Sequence, residues 1–403
     1  MRTYRLRDIA PSIANAPLAG AGIAVYTSLG ECEEAWRRAL DHCACFVFQT
    51  FEWHAAWRHT IAKTEDVSEH VVHVTAADGR TLLLLPLGIY RRRYSRSLQF
   101  LGGVITDYNA PLIDRAFARA VDARDMRRLW QAILDLLPKV DFVWLTRMPQ
   151  TIDGVANPLA ALPGASHTDD SYAATLPSSF DDFASARSTQ FFSQNRRYRR
   201  RLAKISPVQA CFPGDGDERI EIVRRMAEQK SQWLRGSGLR DTFELPEYRA
   251  FYERLTKGAF PAGQILVASL RVGNEVVATM WGPIFRARYY FLVTSYAHDW
   301  TRYSVGRLLM ESVVQWCIAQ KLSVFDLTAG DESYKRSWSD HSLPLYEYLA
   351  ARSLKGMLIV AYRRGRNRLR ANRHVRALAR RLIATAGRLS PRSPGLPQAP
   401  PAG

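Results

Sequence analysis

Cysteine is scarce in this sequence of 403 residues, which contains five. Cys32, Cys43, Cys45, Cys211 and Cys317 follow no regular spacing, and an odd number cannot pair completely within one chain. This argues against the disulfide framework of small secreted proteins and favours a reducing compartment. Only one residue separates Cys43 from Cys45, and no histidine pair accompanies them, so the sequence predicts no metal site.

Long apolar runs are also missing. The longest runs, such as residues 81–87, have the length of a β-strand. A transmembrane helix needs about 20 consecutive apolar residues. The amino terminus lacks the ordered basic, apolar and small-residue regions of a signal peptide. The sequence therefore predicts a cytoplasmic protein.

Acidic residues are absent from the segment 351–392, which carries 13 Lys and Arg. The whole chain has 56 basic and 38 acidic residues, a net charge of +18 and a pI near 10.0. The tail therefore contributes most of the excess charge. Apolar residues recur among its arginines with helical spacing, which favours peripheral attachment to an anionic membrane, such as the inner membrane face. Binding to nucleic acid is less favoured, and a solvated helical extension is a further interpretation.

Two hairpin signals divide the rest of the chain into similar halves. Residues 70–90 and 264–285 each contain two apolar strands around a glycine turn, followed by an arginine-rich exit. A helical pattern and a short apolar strand follow in each half, at 121–137 and 142–145 and at 305–320 and 323–328. The repeated order predicts a duplicated α/β (α+β) domain with mixed sheets flanked by helices.

The remaining patterns are weaker. Residues before 30 are predicted to be a loose lead-in, and 151–166, rich in Gly, Pro and Ala, a loop. The end of the chain, from residue 390, has a disordered composition. Further helices are predicted at 31–42, 50–62, 188–204 and 217–233, and further strands at 45–49 and 289–296.

A short polar turn precedes the predicted helix of the second half. It contains Gly306 between Arg302 and Arg307. The first amide groups of a helix have no partner within it and carry partial positive charge, which suits phosphate. The backbone around Ser304 and Val305 and the two arginines are therefore candidates for binding a pyrophosphate. A capped helix with two exposed arginines explains the same residues, so the pattern alone leaves both interpretations open.

The segment after the next strand, GDESYKRSW at Gly330 to Trp338, carries a family resemblance. Together with the preceding strand, turn and helix it resembles the GNAT superfamily, and more narrowly the BioF-like acetyltransferases that include CelD-like proteins of cellulose biosynthesis. FEWHAAW, FLGGVITDYNAPLID and NRRYRRRLAK are similar to other parts of that group. The resemblance implies two GNAT-like domains in tandem, as in FemAB-type proteins. They would occupy residues 30–166 and 167–350, with a basic tail at 351–403.

The resemblance implies transfer of an acyl group, in the simplest case acetyl, from acyl-CoA as co-substrate to an amine or hydroxyl acceptor. It implies no tightly bound cofactor and no metal. GNAT proteins usually carry a phosphate loop of the pattern Arg/Gln-x-x-Gly-x-Gly/Ala. Gly306 fills the first glycine position, whereas Tyr303 and Leu308 occupy the outer positions and depart from the pattern. The residues expected to bind the co-substrate are Arg302, Ser304, Val305, Gly306 and Arg307.

Candidate catalytic groups lie in the GDESYKRSW segment: Asp331, Glu332, Tyr334 and Lys335. A carboxylate can accept the proton of an attacking amine, and a tyrosine can return one to a leaving thiolate. These residues follow the end of a strand, where open α/β sheets place their sites. A polar turn with a capping carboxylate and a solvated lysine is the alternative interpretation.

Other residues are candidates for contact with the acceptor: Asp107, Tyr108, Asn109 and Tyr296. The first three also suit an ordinary turn. The arginines of residues 195–204 are predicted to be mainly a solvated face. Two functions remain as alternatives to acyl transfer from CoA: a FemAB-like transferase that uses aminoacyl-tRNA, and a catalytically inactive scaffold of a membrane synthesis complex. The family label suggests an acceptor in exopolysaccharide or the cell envelope.

Overall fold

The computed structural model describes residues 1–6, 18–187, 189–214, 216–258, 260 and 263–371. Its strands are β1 Arg2–Arg5, β2 Gly22–Tyr26, β3 Cys43–Ala44, β4 Val67–Thr75, β5 Thr81–Arg92, β6 Ser95–Phe100, β7 Leu112–Asp114, β8 Phe142–Pro149, β9 Thr151–Ile152, β10 Val155–Ala156, β11 Ala165–Thr175, β12 Val208–Cys211, β13 Gln264–Val272, β14 Glu275–Phe285, β15 Arg288–Tyr290, β16 Val293–Tyr296, β17 Val324–Ala329 and β18 His341–Ala351.

The helices are α1 Leu29–His42, α2 Phe51–His59, α3 Arg115–Ala120, α4 Ala123–Leu136, α5 Phe180–Ser185, α6 Thr189–Ala203, α7 Asp217–Gly236, α8 Pro246–Lys257, α9 Val305–Ala319, α10 Ser333–Trp338 and α11 Leu354–Ala371. Short 3₁₀ turns occupy Val47–Gln49, Ile61–Thr64, Gly103–Ile105 and His298–Tyr303. Among the helices in the described part of the chain, none has the length and hydropathy needed to cross a membrane.

One continuous mixed sheet runs through both halves. Its strand order is β1-β2-β4-β5-β6-β8-β18-β11-β17-β15-β14-β13-β12, and β16 pairs with β14 beside this path. Most neighbours are antiparallel, but β6 pairs in parallel with β8, and β15 with β17. In each half, the segment that connects the two strands of the parallel pair contains a helix. The duplicated α/β architecture expected from the hairpins is therefore confirmed.

The last strand of the chain joins the two halves at the centre of the sheet. β11 pairs with β17 of the second half, and β18, the last strand of the chain, pairs with β8 of the first half and with β11. The domain boundary predicted at residues 166 and 167 lies within β11. No break in the sheet therefore marks this boundary, and the two halves share their central strands.

Several expectations about local structure were wrong. The predicted lead-in contains β1 and β2, which pair with each other and with β4. Residues 45–49, predicted to be a strand, contain none: β3 ends before them at Ala44, and Val47–Gln49 form a 3₁₀ turn. The predicted loop at 151–166 contains the small hairpin of β9 and β10. By contrast, β13 and β14 have the predicted bounds, because their apolar alternation and glycine turn agree.

The five cysteines are free thiols, as expected, and all but Cys211 are buried. Burial raises the pKa of Cys43 and of Cys45 to about 12. These thiols therefore stay protonated near neutral pH and pack as small apolar side chains.

A buried carboxylate joins the two halves. The hydroxyl of Tyr108, in the first half, donates to Oδ1 of Asp326 on β17 at 2.7 Å. Nη1 of Arg288 on β15 lies 2.8 Å from Oδ2 of the same carboxylate. The backbone N–H of Thr328 also donates to Oδ1, at 2.8 Å. Because Asp326 is only 1% exposed, these three donors replace the water that its charge would otherwise require.

We expect Tyr108→Phe to lower the free energy of unfolding by about 1.5 to 3 kcal/mol, the usual range for losing a hydrogen bond to a charged group. Urea denaturation measures this change. The matched variant Tyr362→Phe removes the same hydroxyl from a side chain that is 69% exposed, and should change stability by less than about 0.5 kcal/mol. Equal effects of the two substitutions would contradict the role of the buried carboxylate.

Candidate active site

The site begins where two parallel strands separate. β15 pairs with β17 from Arg288 to Tyr290, and the N–H of Phe291 still donates to the carbonyl of Asp326 at 2.7 Å. After this point the chain shifts, and β16 pairs with β14. The single strand predicted at 289–296 is thus two strands: both pair with β14, but only β15 also pairs with β17 within the described residues. Their separation opens a space between β16 and the end of β17.

This space is a cleft of about 1040 Å³. Six parts of the second half line it: β16, the start of α9, the segment around α10, the carboxyl-terminal half of α7, α6, and the residues that follow α5. The lining residues used below are Thr294, Tyr296, Gly306, Arg307, Glu332, Tyr334, Lys230 and Trp233. Five of these eight were singled out in the sequence, so folding brings together residues from the predicted phosphate turn and from the GDESYKRSW segment.

The backbone of β16 presents polar groups to the cleft. The N–H of Ala297 donates to the carbonyl of Val277 on β14 at 2.9 Å. Hydrogen-bonding directions alternate along a strand, so the N–H groups of Thr294 and Tyr296 point away from β14. The carbonyl of Thr294 has the same direction and accepts a hydrogen bond from Lys230. Such fixed N–H groups can stabilise a negative oxygen that forms beside them.

The predicted phosphate turn lies at the end of the cleft. The N–H groups of Arg307 and Leu308 both donate to the carbonyl of Ser304. The backbone of Ser304 has a φ of 51°, in the left-handed region. The amides of Val305 and Gly306 have no backbone acceptor among the described residues. A Cβ at position 306 would lie 3.3 Å from the ring of Tyr296, so glycine lets this ring approach the turn closely.

The other residues of the turn differ in their surroundings. Arg307 lines the cleft, and its Nη1 donates to the side-chain oxygen of Gln194 at 3.0 Å. Arg302 is exposed, lies over the ring of Tyr303 and is not among the lining residues. The side chain of Val305 is fully buried in the core. The cleft is therefore bordered by Gly306 and Arg307, and Arg302 as a direct contact is not supported.

Two of the four candidate catalytic residues have structural roles. Asp331 is exposed and outside the cleft, and it accepts hydrogen bonds from Arg336 and from the hydroxyl of Tyr172. These hydrogen bonds lower the pKa of Asp331, which makes it a poor base. Lys335, a candidate catalytic residue whose alternative interpretation was a solvated lysine, is 4% exposed and lies 2.5 Å from the carbonyl of Ala329.

Glu332 and Tyr334 are the candidate proton-transfer groups that line the cleft. One oxygen of Glu332 lies 3.0 Å from Nζ of Lys335, which holds the carboxylate in place. Burial raises the pKa of Tyr334, and the nearby charges of Glu332 and Tyr296 raise it further. Tyr334 therefore keeps its proton across the neutral range and is a weaker acid than a free tyrosine, so its candidacy as a donor rests on its position in the cleft.

The loop of Asp107, Tyr108 and Asn109 does not line this cleft. Asp107 lies 2.9 Å from Nη1 of Arg147, and burial raises its pKa. The side-chain amide of Asn109 donates to the carbonyl of Thr146 at 2.9 Å. With Tyr108 held by the buried carboxylate, this loop joins the two halves, and the expected contact with the acceptor is not supported at this cleft.

The basic helix α6 has two faces. The charged residues Arg196, Arg197, Arg200, Arg201 and Lys204 are exposed. On its other side Asn195 donates to Glu311 of α9, and Arg199 donates to Oγ of Ser312 at 3.2 Å. The interpretation of most of these arginines as a solvated face is confirmed.

Sequence analysis missed Lys230 and Trp233, which extend from α7 into the cleft. Nζ of Lys230 lies 3.3 Å from the carbonyl oxygen of Thr294 and 4.6 Å from the centre of the Trp233 ring. Their spacing of three residues places them on one helix face. That spacing is common on solvated helices, so no signal in the sequence distinguished this pair.

Comparison with known proteins identifies a matching family and similar folds. Residues 189–336 match the family described as Acetyltransferase (GNAT) domain. The crystal structure of FemX is similar with a TM-score of 0.56 at 8% identity, over 81% of this chain and 96% of that chain. A tandem GNAT protein from the clavulanic acid biosynthesis pathway has a TM-score of 0.44 at 11% identity, over 82% and 99% of the two chains.

A conserved protein of unknown function from Bacteroides thetaiotaomicron has a TM-score of 0.49 at 12% identity, over 82% of this chain and 99% of that chain. No curated protein sequence matches the chain. The matched domain contains α6, α7, β16, α9 and the greater part of the GDESYKRSW segment, and each of these contributes residues to the cleft. The chain therefore has the fold of FemX, and residues 189–336 in its second half match an acetyltransferase domain of the GNAT type.

Proposed function

We propose that the protein transfers an acyl group, in the simplest case acetyl, from acyl-CoA to an amine or hydroxyl acceptor. The observation that carries this proposal is the cleft between the separated strands β16 and β17. It ends at a helix amino terminus where two amides have no backbone acceptor within the described part of the chain, and it contains Glu332 and Tyr334. The match of residues 189–336 to the acetyltransferase (GNAT) domain supports the same reaction class.

In the proposed reaction the acceptor attacks the thioester carbonyl directly. A carbon–nitrogen or carbon–oxygen bond forms, and the carbon–sulfur bond breaks. Glu332 accepts the proton of the nucleophile, and Tyr334 donates a proton to the leaving thiolate. The N–H groups of Thr294 and Tyr296 stabilise the negative oxygen of the intermediate. The amides of Val305 and Gly306 bind donor phosphate, with Arg307 adding charge.

Calorimetric titration of the full chain with acetyl-CoA and CoA tests the donor. We expect one site, and a loss of affinity of about tenfold or more in Gly306→Val, since branched carbons would displace the Tyr296 ring and crowd the phosphate position. Gly30→Val is the matched control, because its added Cβ would meet no atom within 4 Å. A folded wild-type protein that binds neither compound would contradict acyl transfer from CoA.

The adjacent carboxylates provide a second test. We expect Glu332→Gln to lower kcat for CoA release by about 100-fold, because the substitution removes a base at the cleft. Asp331→Asn, one residue earlier and outside the cleft, should change kcat by less than about threefold. The assay follows free thiol with acetyl-CoA and a panel of amine and hydroxyl acceptors. Similar losses in both variants would show that Glu332 has no special role.

A transferase that uses aminoacyl-tRNA remains the second candidate. The observation that favours it is the row of exposed arginines on α6, whose Gln194 lines the cleft. Salt-sensitive tRNA binding without CoA binding would support this candidate. If the protein binds neither tRNA nor CoA, the result favours a catalytically inactive scaffold. The first proposal also has a more specific form. In it, the protein acts in the cytoplasm as a BioF-like or CelD-like acyltransferase, and its acceptor belongs to an exopolysaccharide or to the cell envelope.

We also propose that α11 attaches the protein to an anionic membrane. Its exposed apolar side chains, Leu354, Met357, Leu358 and Tyr362, recur at helical spacing, and Leu354 is 83% exposed. The opposite side of the helix is held firmly: Val360 packs in a cluster with Phe142 and Leu349. The helix thus presents apolar groups outward, in a tail segment that carries many cations and no anions.

Vesicle sedimentation of the full chain tests this attachment. We expect binding to vesicles with phosphatidylglycerol and weak binding to neutral phosphatidylcholine vesicles. Leu354→Ser with Leu358→Ser should reduce binding by about tenfold or more, since burying one leucine contributes about 1.5 to 3 kcal/mol. Ile205→Ser, at an exposed position elsewhere, is the control. Equal binding by all variants, or binding to RNA in place of vesicles, would contradict the proposal.

A further inference from the structure

Helix α7 is fixed against the floor of the cleft by Gln229. The side-chain oxygen of Gln229 accepts a hydrogen bond from the hydroxyl of Ser295 on β16 at 3.1 Å. Its amide nitrogen donates to the carbonyl of Val276 on β14 at 3.0 Å. Gln229 is 2% exposed, so these bonds are shielded from water. They fix the position of the next residue, Lys230, whose side chain extends into the cleft.

Lys230 carries a charge without a nearby carboxylate. Within the described residues, no carboxylate oxygen lies within 4.0 Å of its Nζ, which donates to the carbonyl of Thr294. Glu332 lines the same cleft but makes its ion pair with Lys335. Burial lowers the pKa of Lys230, and the more distant charge of Glu332 opposes this shift. An ammonium group has three donors, so two remain for a bound anion.

The position of Lys230 separates it from the phosphate turn. Its partner Thr294 precedes Tyr296 by two residues, or about 7 Å along a strand. Tyr296 packs against Gly306 of the turn, so Thr294 lies nearer to the point where β15 and β17 separate. A donor whose phosphates occupy the turn would have its reactive end on the Thr294 side. An anion at Lys230 therefore belongs more naturally to the acceptor.

We propose that Lys230, with the Trp233 ring beside it, binds an anionic group of the acceptor, a carboxylate or a phosphate close to the nucleophile. This inference rests on the proposed acyl transfer and adds the class of acceptor. Two N–H groups of Lys230 contact the anion, and the Trp233 ring covers an apolar part of the same molecule. The subsite thus selects amines or alcohols that carry a negative charge near the reacting atom.

Titration of the CoA-saturated full chain with inorganic phosphate, and separately with acetate, tests the subsite. CoA fills the phosphate turn, so further anion binding reports a second position. We expect Lys230→Met to weaken anion binding by about tenfold or more and Lys230→Arg to retain most of it. Lys204→Met removes an exposed lysine and is the control. Circular dichroism verifies that each variant is folded, and CoA affinity is measured separately for each.

Three results would overturn the subsite: no anion binding to the wild-type complex, equal binding by Lys230→Met, or a loss of CoA affinity in Lys230→Met that matches the loss of anion affinity. The last result would assign Lys230 to the donor. If the wild-type protein binds no CoA, the proposed function fails separately. Titration of the CoA-free protein with inorganic phosphate then tests the subsite by itself. The subsite requires that Lys230→Met lowers the affinity for phosphate and that Gly306→Val does not.

Discussion

The buried carboxylate of Asp326 is the interaction on which the rest of the site depends. It lies on β17 at the last residue that pairs with β15, and it receives donors from Arg288 on β15 and Tyr108 of the first half. A buried carboxylate without donors would be strongly unfavourable, so the three segments are held at a common point. The strands therefore separate beyond a fixed position, and the cleft opens there.

The geometry of the separated strands follows from this constraint. Beyond Asp326, the left-handed backbone at Thr328 and Gly330 turns the chain into α10. Lys335 then enters the interior, where it contacts the carbonyl of Ala329 and the carboxylate of Glu332. This buried lysine orients the short helix so that Glu332 and Tyr334 face the cleft. A residue expected to act on substrate thus holds the groups that line the site.

Regular patterns of local sequence predicted much of the fold. The hairpin of β13 and β14 and the helix α9 have strong periodicity and clear turns, and their predicted bounds agree closely with the structure. β11 and β18 were missed because their polar and apolar residues do not alternate simply. Their pairing depends on partners far along the chain, and the shift between β15 and β16 depends on β17. Local patterns cannot contain such information.

The same limit explains why the roles of two lysines were not predicted. Lys335 and Lys230 both lie on helices near the cleft, and both have restricted contact with water. Lys335 has a carboxylate partner at 3.0 Å, which makes it part of the framework. Lys230 has a backbone carbonyl at 3.3 Å and an aromatic ring. Because both residues are lysines, their type does not distinguish them. The folded chain places a carboxylate beside Lys335, which makes it structural, and places none within 4.0 Å of Lys230 among the described residues, so Lys230 can bind a ligand.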